Sequence, residues 1–282
     1  MINELVKTAK ENGLNIYSIA VIDGDGIHTA QLIPANRCNN SYSVAKAFTM
    51  TAVGMLRDQK KLDVTDRVFD IMRDEFPDSY DPTWENVTVD DVLKHKAGFE
   101  CGFLDIDVED ISKYKTDDFL KIVLSRPLPF TPGTRHVYSD AAYYLLSRIV
   151  SEVSGTELSD FLRPVLFGIL GFQELAWSKC PRGYAMGATG LYISSEDMAK
   201  LGYAYANGGE YNGKTVVSED WIDLSLSREY EFGRYGDAGL YAKGGMNGQM
   251  LGFSVKSHAS VAWHGYEPEK DVSVILKKFA SI

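Results

Sequence analysis

A chain of 282 residues with 45% hydrophobic and 24% charged side chains can bury a large core, which excludes a disordered or fibrous protein. Its formal net charge of -10, with no Lys/Arg-rich block, excludes a phosphate-backbone binder, because nucleic-acid recognition needs a basic stripe to release counterions. The densest basic pairs, Lys60-Lys61 and Lys277-Lys278, read as solvated surface.

Residues 1–7 lack the charged-then-apolar run of an export signal, and no stretch of about 18 apolar residues occurs, so a cytoplasmic protein without a membrane partner is expected. Leu5, Val6 and Ala9 share one face of a short opening helix. Residues 16–22 and 27–32 form two β-rich apolar runs around Asp23-Gly24-Asp25-Gly26, whose residues tolerate the positive φ of a tight turn, so the pair reads as a hairpin. Ala47, Phe48, Thr51, Met55 and Leu56 then return with helical period, which places Ser43 at or near a helix N-terminus. Further helices are expected over residues 88–95, over 140–153 with Gly155 as the stop, and over 195–206 before Asn207-Gly208-Gly209. Strand-like runs follow at 250–255, 261–263 and 271–276. Strands at both ends and helices between them predict an α/β chain of the α+β type, with one sheet assembled from distant segments. The expected organisation is a single domain over 1–282, with an α/β region at about 1–62 and 186–282 and a helical region at about 63–185.

Ser43-Val44-Ala45-Lys46 has the S-x-x-K form, which at a helix start sets a hydroxyl and an amine one turn apart on one face. A free serine is a poor nucleophile and needs such a base, while the helix N-terminus favours developing negative charge. A second match, Ser112-Lys113-Tyr114-Lys115, lies among charged residues and reads as a solvated face. By pattern alone Ser43 is either a nucleophile or an ordinary helix cap. Five histidines, His28, His95, His136, His258 and His264, show no zinc spacing. The three cysteines, Cys38, Cys101 and Cys180, form no C-x-x-C pair and suit free thiols. With no glycine-rich phosphate loop either, no metal and no cofactor is expected.

Several stretches in order resemble the serine β-lactamase and penicillin-binding protein superfamily, in particular its class C and esterase-like branch. They are Ser43-Val44-Ala45-Lys46; the run 87–98 ending Lys94-His95-Lys96-Ala97-Gly98; Pro132-Gly133-Thr134 followed by Tyr138-Ser139-Asp140; and Gly190-Leu191-Tyr192 through Asp197 and Asn207-Gly208-Gly209 to Trp221. The resemblance implies a β-lactamase-like fold, with the antiparallel sheet built from N- and C-terminal segments and a largely helical middle. It also implies Ser43 as nucleophile, Lys46 as its activator and Tyr138, in the position of the Y-x-N tyrosine, as general base. An ammonium beside a phenol favours the phenolate, which suits that role. Asp140 departs from the pattern: asparagine donates and accepts, whereas a carboxylate only accepts. It either pairs with Lys46 or repels a substrate carboxylate, and both point away from β-lactams.

For the third, K-T-G-like element, Lys243-Gly244-Gly245 is preferred and Trp263-His264-Gly265, through His264, is the fallback; Lys96-Ala97-Gly98 precedes Tyr138 and is out of order. The glycines admit close backbone approach, and the amides of Met246 and Ser43 would form an oxyanion hole. Trp177, Trp263, Tyr184, Tyr192 and Phe103 are core or pocket wall. The expected function is acyl-serine hydrolysis of a small ester, amide or peptide-like substrate. The alternatives are a β-lactamase or D-alanyl-D-alanine carboxypeptidase and, from another class, a non-catalytic ligand-binding or sensor module on the same fold. Neither the natural substrate nor the oligomeric state is assigned.

Overall fold

The computed structural model describes residues 1–236 and 239–282. The chain divides into two compact units, one made of residues 1–44, 165–176 and 191–282, the other of residues 45–164 and 177–190. Five helices matter most for function: α1 (Ile2–Glu11), α2 (Ala45–Asp58), α3 (Asp140–Ser154), α4 (Ser195–Ala206) and α5 (Ser273–Ala280). The main sheet contains β1 (Ile16–Asp23), β2 (Gly26–Gln31), β3 (Gly233–Tyr235), β4 (Leu240–Gly244), β5 (Met250–Ser254) and β6 (Ala259–Gly265).

In the first unit the six strands run in the order β2-β1-β6-β5-β4-β3, so the N-terminal hairpin joins the C-terminal meander through β1 and β6. The β1–β6 pairing is antiparallel, with Ile19 opposite Trp263 and Val21 opposite Val261. Because strand side chains alternate, this register sends Ile19, Val21, Val261, Trp263 and Met250 to one face, where Leu5 and Ala9 of α1 and Ile275, Leu276 and Phe279 of α5 cover them. The opposite face carries α4. Gly202 permits that packing: a Cβ there would stand 2.7 Å from Leu251 Cδ1. Ser260 Oγ also donates to Ala199 O at 2.8 Å.

Of the run 271–276, expected as a strand, residues 273–276 instead begin α5. Ile275, Leu276 and Phe279 return with helical period onto the sheet, Lys277 and Lys278 fall in its last turn, and Asp271 Oδ1 accepts the Ser273 amide at 2.9 Å. A short apolar run carries no periodicity that separates the two forms, and packing against α1 decides for helix.

The second unit is helical. In α2 every residue from Ala45 to Leu56 is buried, and in α3 every residue from Asp140 to Ser151 is buried, so both are central helices without a solvent face. The expected stop of α3 is present, with Gly155 left-handed at φ 70°. The 88–95 expectation narrows to a helix Val89–Leu93, closed by a capping box between Thr88 and Asp91. Among the described residues no helix is long and apolar enough to cross a membrane.

Candidate active site

In the helical unit the arrangement centres on Lys46, which is fully buried in the first turn of α2. Its Nζ donates to Asp140 Oδ1 at 2.7 Å and to Ala188 O at 3.0 Å. Asp140 opens α3, where the helix dipole favours a negative charge, and its side chain is 6% exposed. A buried ammonium of this kind survives only with a counter-charge, and the aspartate in place of asparagine provides it.

Tyr138 lies two residues before α3 and is 44% exposed. Lys46 Nζ sits 4.7 Å from its ring centroid. The backbone on either side of Tyr138 is held by His95: Val137 N donates to His95 O at 2.8 Å, and Ser139 N donates to His95 Nδ1 at 3.2 Å. The His95 ring also packs on the tyrosine with centroids 4.5 Å apart. The chain opposite comes equally close, since a Cβ on Gly102 would stand 2.6 Å from Tyr138 O.

Two more carboxylates join this group. Carboxylate oxygens of Asp105, Asp107 and Asp140 lie within 4.8 Å of one another. Burial, and after it the charge of Asp140, push the Asp105 carboxyl above its ordinary value. Asp107 accepts a short hydrogen bond from Thr189 Oγ1. Neither Asp105 nor Asp107 carries a sequence motif. The second S-x-x-K match is a surface turn, in which Ser112 Oγ donates to Asp110 and Lys113 pairs with Glu109 at 2.7 Å.

In the sheet unit Ser43 lies, half-buried, in the short 3-10 turn Tyr42–Val44, which runs directly into α2 at Ala45. Tyr42 is held at φ 46°, a left-handed conformation unusual for an aromatic residue. The turn is fixed by Tyr42 N donating to Asn40 Oδ1 at 2.9 Å and Ser41 N donating to Leu191 O at 2.9 Å. The end of β4 abuts it: a Cβ on Gly245 would stand 2.5 Å from Ser41 O, so this position requires glycine. Lys243, two residues earlier, pairs closely with the carboxylate of Glu231, whose side chain is 2% exposed. Met246 begins the 3-10 turn Met246–Gly248 and is 37% exposed. His264 is a core residue on β6. It is fully buried, its Nδ1 faces Gln249 Oε1 at 2.9 Å, and burial lowers its pKa to about 4.

Of the aromatic residues singled out, Trp177, Trp263 and Phe103 are core, whereas Tyr192 is 40% exposed. The residues sequence reasoning missed are Glu231, Asp105, Asp107 and Thr189. Asp105 and Asp107 sit two apart in an acidic loop, a signal no different from that of any solvated loop.

The Beta-lactamase family model matches residues 6–276. An N-acetylmuramyl-L-alanine amidase of Bacillus subtilis is 29% identical over 271 residues, covering 72% of this chain and 61% of the relative. The chain therefore spans about three fifths of that curated relative's length. Among solved structures, a penicillin binding protein from Bacillus halodurans superposes with a TM-score of 0.75 at 20% identity, covering 99% of this chain and 100% of the other. A family VIII carboxylesterase superposes with a TM-score of 0.74 at 16% identity, covering 99% and 96%. These superpositions share the fold, and the family model covers nearly the whole length: the chain belongs to the beta-lactamase family.

Proposed function

We propose that the protein is a serine hydrolase that opens a small ester or amide through an acyl-serine intermediate. The Ser43 Oγ adds to the carbonyl carbon while its proton passes by way of Tyr138 and Lys46. The carbon–leaving-group bond then breaks, and that proton goes to the departing oxygen or nitrogen. Water repeats the sequence on the acyl-enzyme and returns the proton to Ser43. The amides of Ser43 and Met246 hold the oxyanion, and Gly244 and Gly245 keep the strand edge free of side chains beside it. The observation that carries this reading is the buried Lys46 ammonium, clamped by Asp140 and Ala188 at the start of the helix that follows Ser43, with the Tyr138 ring over it.

The family relatives include an amidase and proteins of the penicillin-binding class, and two features favour a substrate without a free carboxylate near the reacting carbonyl. Asp140 brings a negative charge where asparagine would be neutral, and Lys243 is already paired with an internal carboxylate, Glu231. A cytoplasmic ester or amide pool fits this preference better than cell-wall stems or β-lactams.

A fluorophosphonate probe tests the assignment. Intact mass is expected to show one adduct on the wild type and none on Ser43→Ala; no adduct, or an equal one on the variant, favours a non-catalytic binding module. Side-by-side turnover of p-nitrophenyl acetate and a chromogenic cephalosporin is expected to show the ester alone. Turnover of the cephalosporin alone would reverse the choice of substrate class.

A further inference from the structure

The segment 185–190 of the helical unit is buried throughout and lies directly on the central helices. Gly187, at φ 69°, allows this, since a Cβ there would stand 2.5 Å from Tyr143 O and 2.9 Å from Ser147 Cβ of α3. Side chains hold its carbonyls one after another. Ser147 Oγ donates to Ala185 O at 2.7 Å, and Thr49 Oγ1 donates to Gly187 O at 2.7 Å. Lys46 Nζ donates to Ala188 O at 3.0 Å, and Trp177 Nε1 donates to Thr189 O at 3.0 Å. One tie runs the other way: Thr189, fully buried, donates its own hydroxyl to the Asp107 carboxylate.

This bears on Lys46. Its stem has four rotatable carbons, so one carboxylate partner leaves the amine able to swing about that contact. A second, fixed acceptor removes the freedom, and Ala188 O is such an acceptor only if its peptide cannot rock. The peptide is pinned on one side by Thr49 at Gly187 and on the other by Thr189 at Asp107. With two N–H directions set, the tetrahedral nitrogen sets the third.

We propose that Thr189 and Asp107 are positioning residues for Lys46: their hydrogen bond fixes the Ala188 carbonyl and thereby the direction in which the amine exchanges a proton. The proposal rests on the assignment of Lys46 as a proton carrier made above. It adds that the loop carrying Asp107 is part of the machinery although it touches no substrate.

The test compares Thr189→Val, Thr189→Ser, Asp107→Ala, Asp107→Asn and the Thr189→Val/Asp107→Ala double variant. Fluorophosphonate labelling rate at Ser43 and steady-state hydrolysis of p-nitrophenyl acetate across pH are measured for each. Misplacing a proton carrier costs about 10- to 100-fold, so Thr189→Val and Asp107→Ala are expected to lose that much in labelling rate and kcat, with KM within about twofold. The pH–rate profile of both is expected to shift. Thr189→Ser keeps the donor and Asp107→Asn keeps an acceptor, so both are expected within about threefold of wild type. The double variant is expected to be no slower than the worse single variant, because one interaction is lost only once.

Wild-type labelling by Thr189→Val, a Thr189→Ser as slow as Thr189→Val, or multiplying losses in the double variant would overturn the proposal. If Thr189→Val does not fold, Thr189→Ser and Asp107→Asn decide: near-wild-type rates support it, and a tenfold loss in either overturns it. A wild type unlabelled at Ser43 overturns the functional reading and this inference together, whereas a labelled wild type with an unaffected Thr189→Val overturns the inference alone.

Discussion

Replacing Asp140 probes the buried ion pair most directly. Its side chain is 6% exposed and its oxygen lies 2.7 Å from the Nζ of a fully buried Lys46. At an effective dielectric constant of about 20 the gross attraction is about 6 kcal/mol, but desolvation of both groups offsets much of it. Removing one partner of a buried pair typically costs 3–5 kcal/mol, because the other charge is left uncompensated. Asp105, which lies within 4.8 Å of the same carboxylate and feels the Lys46 charge, still offers partial compensation, which places Asp140→Ala near the lower end, about 3 kcal/mol. Asp140→Asn keeps an acceptor oxygen and loses the charge alone, so about 1–2 kcal/mol is expected. At roughly 2–4 °C per kcal/mol for a chain of this size, Tm falls by about 6–12 °C for alanine and about 2–8 °C for asparagine. Thermal melts followed by circular dichroism at pH 7 measure both. Asparagine also removes a negative charge beside the site, so kcat/KM for a carboxylate-bearing ester is expected to rise relative to a neutral one. An Asp140→Ala protein that melts with the wild type would refute the energetic reasoning, and so would an asparagine variant that melts as low as the alanine one.

Glu231→Gln releases Lys243 from its buried counter-charge, so kcat/KM for an anionic ester over a neutral one is expected to rise about tenfold; an unchanged ratio in steady-state assays counts against Lys243 as a substrate-facing cation. His264 sets a pH dependence: its folded pKa is about 4, below the ordinary 6.5, so between these values the unfolded chain binds the extra proton. The stability from keeping this imidazole neutral is complete above pH 6.5 and declines by about 1.4 kcal/mol per pH unit below it, about 3 kcal/mol by pH 4. Urea unfolding of wild type and His264→Asn at several pH values is expected to show that slope in the wild type and its loss in the variant.

Features with a local cause were legible in the sequence. The hairpin β1–β2 follows from two β-rich runs around a Gly/Asp turn, and α3 ends where Gly155 supplies the left-handed residue. Ser43 and Lys46 stand three apart just where a helical period begins, which is enough to mark them. The run 271–276 misled because six residues cannot show whether their apolar side chains repeat every two or every 3.6 positions. Glu231 was hidden for a different reason. It lies two residues before Gly233, which pairs with Ala242 next to Lys243, so its meeting with the lysine depends on the register of a hairpin that no local pattern announced. Asp105, Asp107 and Thr189 meet only because a loop and a buried segment 82 positions away are brought together on α2 and α3.

The two lysines proposed for catalysis share one physical feature. Lys46 is compensated by Asp140 within the helical unit, and Lys243 by Glu231 within the sheet unit, each pair drawn from a single unit and each largely shielded from solvent. A cation that must wait for a substrate carboxylate is costly to bury, so it stays hydrated and gains its partner on binding. A cation that already has its partner can be buried at the folding stage, its direction fixed and its charge insensitive to salt. Such a group is already compensated and contributes little affinity for a further anion. On the proposed mechanism, aspartate in place of asparagine therefore disfavours acidic substrates relative to neutral ones.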